Sequence, residues 1–180
     1  MLTNNFKKIQ TKFLMNNWSN NNPGITDLKN YDNSTGMIND RNAGTVAGCF
    51  NSVCSNNQVV VPSVSATTWN GLIIAVGTGD TEPTASDYNL ESLISYTDMP
   101  VSSSTVGVTA NGTKQFTYVL NNSTANTIIV KEMGIYLRSS YTEIGTITPL
   151  CCLLGREVLD EPVTVLPNQT ATFTYEFSFD

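Results

Sequence analysis

The side chains of this sequence that could carry out chemistry are mainly carboxylates and thiols, because the 180-residue chain contains no histidine. General acid–base catalysis and nucleophilic triads most often use histidine. A pair of carboxylates of the kind that glycoside hydrolases use is the remaining candidate for an active site. No spacing singles out such a pair, since most acidic residues stand next to turn residues. Those considered are Asp80, Glu82, Asp87, Glu91, Asp98, Glu132, Glu143, Glu157, Asp160 and Glu161. We therefore predict a protein that is not an enzyme and has no catalytic residues.

The four cysteines are Cys49, Cys54, Cys151 and Cys152. Without histidine or a paired Cys-x-x-Cys spacing they do not form a zinc pattern, so we predict no bound metal. The adjacent pair would point to opposite faces of a strand. We expect buried free thiols, because cysteine is among the most buried residue types. A disulfide between Cys49 and Cys54 stays open at this stage.

A glycine-containing loop, Gly77-Thr78-Gly79-Asp80, follows an apolar run and is a candidate phosphate-binding loop. Neither the Lys-Ser/Thr ending of a Walker loop nor the third glycine of a dinucleotide loop is present. The order of calcium ligands in an EF-hand is also absent around Asp80 and Asp87. We therefore interpret the loop as a turn and predict no cofactor.

Composition indicates β structure and excludes several partners. The net charge is -6 and charged residues make up only 13% of the chain. An acidic chain is not suited to phosphate backbones or anionic membranes, so we predict neither nucleic acid nor membrane as a partner. No apolar stretch reaches the roughly 20 residues of a spanning helix, and the first residues lack a secretory signal. We expect assembly in the cytoplasm.

The N-terminal region, residues 1–45, is predicted to be a helix followed by an Asn-rich linker. Apolar residues at Leu2, Phe6, Ile9 and Phe13 form one helical seam. A helix this short is marginal alone, so the seam must pack on its own domain, on a sister subunit or on a neighbouring protein. We take these four residues as candidate assembly contacts. The turn-rich residues 16–45 are interpreted as a long irregular connection.

Residues 46–180 are predicted to form an antiparallel β-sandwich, jelly-roll-like, from short strands separated by turns. Candidate strands lie at 59–61, 72–76, 116–120, 127–137 and 150–159, followed by a short one at 163–165. The clearest is 170–179, where Phe173, Tyr175 and Phe177 alternate with Thr and Glu, and a turn is predicted before it at Leu166-Pro167-Asn168-Gln169. A local helix is predicted from a capping-box pattern of Thr84 and Asp87.

Two charged pairs interrupt apolar strands, Lys131-Glu132 and Arg156-Glu157. A buried ion pair between neighbouring strands and an outward-facing pair are both compatible with the pattern. We favour a structural role over a catalytic one.

Three stretches together resemble a recurring domain in virion proteins of tailed bacteriophages, including fibre, tail and head-decorating proteins of crAss-like phages. They are residues 74–91 (Gly-Thr-Gly, then Pro-Thr-x-x-Asp-x-x-Leu), residues 129–136 (Glu-x-Gly-Ile-Tyr) and residues 153–159 (Leu-x-x-Arg). The resemblance covers residues 70–180. It implies a β-sandwich module, usually in a homo-oligomer, with no cofactor and no catalytic site.

From this we expect a structural component of a virion, a head fibre or head-decorating protein that forms a homo-oligomer, for instance a trimer, and docks on other virion proteins. A tail or neck component is the alternative. A second class is a module that binds a host surface glycan, with Trp69 and Tyr141 as candidate stacking platforms. A glycan-cleaving enzyme comes last.

Overall fold

The computed structural model describes residues 1–14, 25–30, 32–38, 71–94, 101–108, 114–143 and 146–177. These residues form one helix and eight strands. In chain order they are α1 (Asn4–Leu14), β1 (Ile25–Lys29), β2 (Thr35–Ile38), β3 (Gly71–Gly77), β4 (Val101–Val108), β5 (Lys114–Asn121), β6 (Ile128–Glu143), β7 (Thr146–Val165) and β8 (Thr170–Phe177).

The strands pair into three antiparallel sheets. One has the order β3-β6-β7, the second β4-β5-β8, and β1 and β2 form a separate hairpin. The inner face of the β3-β6-β7 sheet packs on the second sheet, with Ile135 and Leu154 from one side and Tyr118 and Phe173 from the other in a single buried cluster. The predicted mainly β, antiparallel sandwich with a short N-terminal helix is therefore confirmed.

The outer face of the β3-β6-β7 sheet is also covered. Ala75, Tyr136, Cys151 and Leu153 form a second buried cluster there, together with Leu90 from the segment that follows β3. A strand buried on both faces is typically a continuous apolar run. This accounts for the run in β3, whose residues 74–76 are all buried.

The C-terminal strand has the predicted alternation. Phe173 and Tyr175 are buried, while Thr172, Thr174 and Glu176 are exposed. The turn before it is also as predicted, because Gln169 N donates to Leu166 O and the intervening asparagine has φ 60°. Proline followed by a left-handed Asn is typical of a type II turn. The side chain of Phe177 lies outside the described residues.

A bulge in β7 decides which way Arg156 points. Tyr136 pairs with Leu153, whereas the preceding residue of β6 pairs with Gly155, so Leu154 is an extra residue. One inserted residue reverses the face of the side chains that follow. Arg156 therefore lies on the outer face with Leu153, although strict alternation from Leu154 would have turned it into the sandwich core.

A second irregularity merges two predicted strands into one. The strands predicted at 150–159 and 163–165 are parts of β7, and Lys131 of β6 stands opposite four residues, 159–162. Pro162 lies in this irregular stretch, where its missing N–H does not interrupt a regular ladder.

The described part of the N-terminal region packs against the sandwich of its own chain, and the division predicted at residue 45 lies outside the described residues. Phe6 and Ile9 are buried in the inner core, 3% and 1% exposed, together with Leu28 of β1. The predicted irregular connection also contains the β1–β2 hairpin. A turn with Asn33 at φ 67° closes this hairpin, and Asn is one of the few residues that tolerate that conformation. Side chains spaced along one helical face were correctly grouped, but their partner is this chain's own sandwich.

Several expectations concern residues outside the described part of the chain. These are Cys49, Cys54, Trp69, the strand at 59–61 and, of the helix seam, the side chain of Phe13. The side chain of Tyr141 is likewise not described. Within the described ranges, no helix is long and apolar enough to cross a membrane.

Candidate functional site

The densest concentration of charge in the described chain surrounds Glu132, a β6 residue with 0% exposure. Its Oε1 accepts hydrogen bonds from the backbone N–H groups of Gly79 and Ser92, at 3.1 and 2.8 Å. Its Oε2 accepts one from the N–H of Glu91 at 3.1 Å and one from Arg156 Nε at 2.7 Å. The carboxylate thus sits in a cradle of backbone amides, the kind of site that binds anions in proteins.

Arg156 neutralises this buried carboxylate and reaches two more. Besides the bond to Glu132, its Nη1 lies 2.9 Å from Asp87 Oδ2 and its Nη2 lies 3.4 Å from Glu91 Oε2. The side chain is only 3% exposed. The planar guanidinium suits such a site because its donors form a rigid fork.

The acidic partners of Arg156, Asp87 and Glu91, lie in the segment that follows β3, residues 78–94, which we call the outer loop. Threonines of the same loop hold their carboxylates in place. Glu91 Oε2 accepts from both the N–H and the hydroxyl of Thr81, at 2.9 and 2.8 Å. Asp87 accepts from the N–H and hydroxyl of Thr84, at 3.1 and 2.6 Å. The capping-type contacts predicted for Thr84 and Asp87 are present.

The prediction of a helix after Thr84 and Asp87 is wrong. Residues 84–87 form a turn and residues 91–92 lie in a second turn, after which Leu93 bridges Gly77 of β3. The backbone N–H groups of Glu91 and Ser92, which a helix would use internally, instead bind Glu132. Hydrogen bonds to the carboxylate of Glu132, a residue distant in the sequence, therefore take the place of the helical hydrogen bonds.

A tyrosine makes a second attachment between the outer loop and the sheet. Tyr136 is fully buried, accepts a hydrogen bond from Leu90 N at 2.9 Å and donates one to Asn89 Oδ1 at 2.7 Å. Burial raises the pKa of Tyr136 well above its ordinary value. The Glu-x-Gly-Ile-Tyr stretch of β6 therefore supplies both groups, Glu132 and Tyr136, that hold the loop.

Two glycines are required for this arrangement. A Cβ on Gly79 would lie 2.6 Å from Glu132 Oε1 and 2.5 Å from Glu91 Cβ, and one on Gly77 would lie 2.6 Å from the Ser92 carbonyl oxygen. These distances are too short for real contacts. The Gly-Thr-Gly loop is thus built for close approach to an anion, but the anion is the protein's own Glu132.

The surroundings of Asp87 and Glu91 favour the ionised form of each carboxyl. Burial opposes ionisation of Asp87, but hydrogen bonds from Thr84 and Arg156 bring its pKa below the ordinary value. The N–H and hydroxyl of Thr81 lower the pKa of Glu91. A general acid at neutral pH needs a raised pKa, so neither carboxyl is suited to donating a proton.

Above the cluster lies an open depression of about 530 Å³. Arg156 and Glu91 contribute to its lining, together with Asp32 from the β1–β2 turn and Tyr88 and Asn89 from the outer loop. Tyr88 is 37% exposed. No group of three or more Cys, Asp and Glu within the described ranges is placed to hold a metal ion.

The members of the two charged pairs differ in burial and in their partners. Of the two charged pairs, Glu132 and Arg156 meet in a buried ion pair, whereas Lys131 pairs with exposed Asp80 at 2.7 Å. Cys151 and Cys152 are buried in the outer and inner clusters and are not joined in a disulfide, as predicted.

The candidate assembly contacts differ in how far their side chains are buried. Leu2 is 38% exposed, whereas Phe6 and Ile9 belong to the core of this chain and do not form an exposed contact surface. Of the three packing partners left open for this seam, the described residues show the chain's own domain, and a role of the seam in assembly stays a prediction. The contribution of Tyr136 was missed, although a tyrosine in an otherwise aliphatic, buried strand was a signal that its hydroxyl would need a partner.

Comparisons with protein families, with curated proteins and with solved structures found no match for this chain.

Proposed function

We propose that this protein is a non-enzymatic structural component of a bacteriophage virion, a head fibre or head-decorating protein that forms a homo-oligomer and docks on other virion proteins. The observation that carries the proposal is the convergence of the three stretches that resemble phage virion proteins. Gly79 and Glu91 from the first stretch, Glu132 from the second and Arg156 from the third meet around one carboxylate.

This convergence supports a structural role, since each charged group is engaged in holding the outer loop on the sheet. Both oxygens of Glu132 accept two hydrogen bonds each, and Arg156 contacts three carboxylates. A group that catalyses a reaction must be available to its substrate, whereas these groups bind one another. The residues that carry the resemblance are therefore those that hold the outer loop on the sheet.

The decisive test is the location of the chain in the virus that encodes it. Purified particles should contain the protein in a fixed copy number by mass spectrometry. Electron microscopy of intact particles should show the sandwich domain on the head, as a homo-oligomer of this chain, for instance a trimer, bound to the head surface. Absence of the chain from purified particles would overturn the proposal, and density at the neck or tail would favour the alternative position.

A receptor-binding module of the virion is a second candidate, favoured by the open depression beside Tyr88. Sugars stack on exposed aromatic rings and form hydrogen bonds with polar side chains nearby, and Asp32, Asn89 and Glu91 line the same depression as Tyr88. A glycan array probed with the intact protein and with the Tyr88→Ala variant tests it. Binding that the substitution abolishes would support this candidate. Release of sugar from any host glycan would instead contradict a non-enzymatic role.

A further inference from the structure

We propose that the outer loop and Arg156 together form a carboxylate-binding site in their own right, whose present ligand is the side chain of Glu132. The ligand class of this site is small monocarboxylates of the size of acetate. The site accepts such an anion from solution once the Glu132 side chain is shortened. This inference rests on the contacts around Glu132 and is independent of the proposed virion role.

The hydrogen bonds that the buried Glu132 carboxylate accepts come from other parts of the chain than its own strand. Three come from backbone N–H groups of the outer loop, those of Gly79, Glu91 and Ser92, at 3.1, 3.1 and 2.8 Å. The fourth comes from Arg156 Nε on β7, at 2.7 Å. Converging backbone N–H groups form anion-binding concavities in proteins. Recognition of the anion therefore belongs to these donors, and β6 only delivers the carboxylate.

The donors are held in place by further hydrogen bonds that do not involve Glu132. Thr78 N donates to Ser92 O at 2.9 Å, next to the Ser92 N–H that faces the carboxylate. Leu90 N donates to the hydroxyl of Tyr136 at 2.9 Å, one residue before the second donor of the loop. These bonds remain when the Glu132 side chain is removed, so the cradle of N–H groups is retained without its ligand.

The other acidic partners of Arg156 are bound elsewhere and do not fill a vacated cradle. Asp87 accepts hydrogen bonds from the N–H and hydroxyl of Thr84, and Glu91 accepts them from the same groups of Thr81. Shortening Glu132 thus leaves buried donors without an acceptor, which costs free energy. That cost favours the binding of a carboxylate from solution.

A small anion can reach the cradle from the open depression. The lining of the depression includes Arg156 and Glu91, which also supply two of the four donors to Glu132. The size of the anion follows from the atoms removed. Glu132→Ala removes Cγ, Cδ and both oxygens, which are the heavy atoms of acetate. Glu132→Gly removes Cβ as well, and the vacated space then has the heavy atoms of propionate.

The experiment measures the urea unfolding of the full-length Glu132→Ala variant in sodium formate, acetate or propionate and in sodium chloride of equal ionic strength. Acetate should stabilise this variant most. At about ten times its dissociation constant it should lower the unfolding equilibrium constant about elevenfold. In Glu132→Gly, the most effective anion should change from acetate to propionate. A change in the preferred size separates binding in the cradle from the general effect of salts on stability.

Glu132→Gln is the matched control, because its amide removes the charge but still fills the cradle. Acetate and chloride should therefore affect this variant alike, and they should also affect the unchanged protein alike. Equal effects of the two salts on Glu132→Ala, or a variant that does not fold even in acetate, would overturn the proposal. Neither result bears on the virion role, which the composition of purified particles tests separately.

Discussion

At the scale of single residues, Glu132 is the most constrained position in the described chain. Removing a carboxylate from water costs several kcal/mol, and only full pairing and hydrogen bonding offset this. Three backbone amides and Arg156 provide that compensation. The cluster is therefore sensitive to the loss of one member, even though a fully apolar replacement could be equally stable.

Arg156→Ala should be strongly destabilising, by about 3–5 kcal/mol, because it leaves a buried carboxylate unpaired. Arg156→Lys should restore only part of this, since an ammonium cannot form the fork that reaches Glu132 and Asp87 together. The free energy of unfolding in urea measures both. Lys131→Ala, which removes an exposed ion pair, is the control and should have little effect. Similar losses for Arg156→Ala and Lys131→Ala would contradict this assignment.

Phe173→Ala should destabilise the protein by about 3–5 kcal/mol, because the ring is 5% exposed and its removal leaves a cavity between the sheets. Thr174→Ala, one residue along the same strand but on the outer side, should change stability by less than about 0.5 kcal/mol. Urea unfolding of the two variants gives the comparison. Equal small effects would show that β8 does not contribute this side chain to the core.

At the scale of elements, the structure changes what the N-terminal helix is expected to do. α1 is amphipathic, and its apolar face covers the inner core while the residues before it close the edge of β7. An open edge strand is a site for unwanted pairing. Deletion of this element should thus affect both stability and solubility.

Deleting residues 1–14 should lower the unfolding free energy and increase aggregation, because it uncovers Leu28 and Leu154 and leaves the β7 edge unpaired. Phe6→Ala should cost about 3–5 kcal/mol for a core aromatic ring. Leu2→Ala, at an exposed position of the same segment, is the matched control and should cost much less. Thermal melting and light scattering are the measurements. A truncated chain that melts as the full chain does would restore the idea of a separate N-terminal segment.

At the scale of the whole molecule, the stability of the protein should be nearly constant from about pH 6 to pH 8, since the chain has no histidine. Carboxyls with lowered pKa, such as Asp87 and Asp80, stabilise the fold when ionised. That contribution is present above their unfolded pKa near 4 and is lost as pH falls through their lower folded pKa. Urea midpoints measured against pH should therefore fall on the acid side of this plateau as these carboxyls become protonated.

On the alkaline side, buried tyrosines should cause a second loss. Burial raises the pKa of Tyr118 and of Tyr175 to about 12. A group whose folded pKa is raised stabilises the fold below its unfolded pKa, near 10, and this contribution is lost as pH rises toward 12. Tyr118→Phe should reduce the loss between pH 10 and 12. An unchanged alkaline slope in this variant would show that its hydroxyl does not titrate from the core.

The sequence by itself determined the class of the fold, because burial on one or both faces of a strand leaves a direct pattern in the side chains. The alternation at Phe173 and Tyr175 and the apolar run of β3 were correctly interpreted for this reason. Local turn chemistry was equally readable at Leu166–Gln169, since proline and asparagine restrict the backbone themselves.

Only the tertiary structure decided where Arg156 points, whether residues 84–94 become helical and which surface α1 covers. A bulge of one residue changes the face of a strand without altering the composition. The Glu132 carboxylate on β6 takes the backbone N–H groups of residues 40 and 41 positions away, which a helix would have used internally. The apolar face of a helix predicts that this face is buried, but it does not predict which surface covers it. These three outcomes depend on contacts between distant parts of the chain, and their free energies are set by the geometry in which those parts meet.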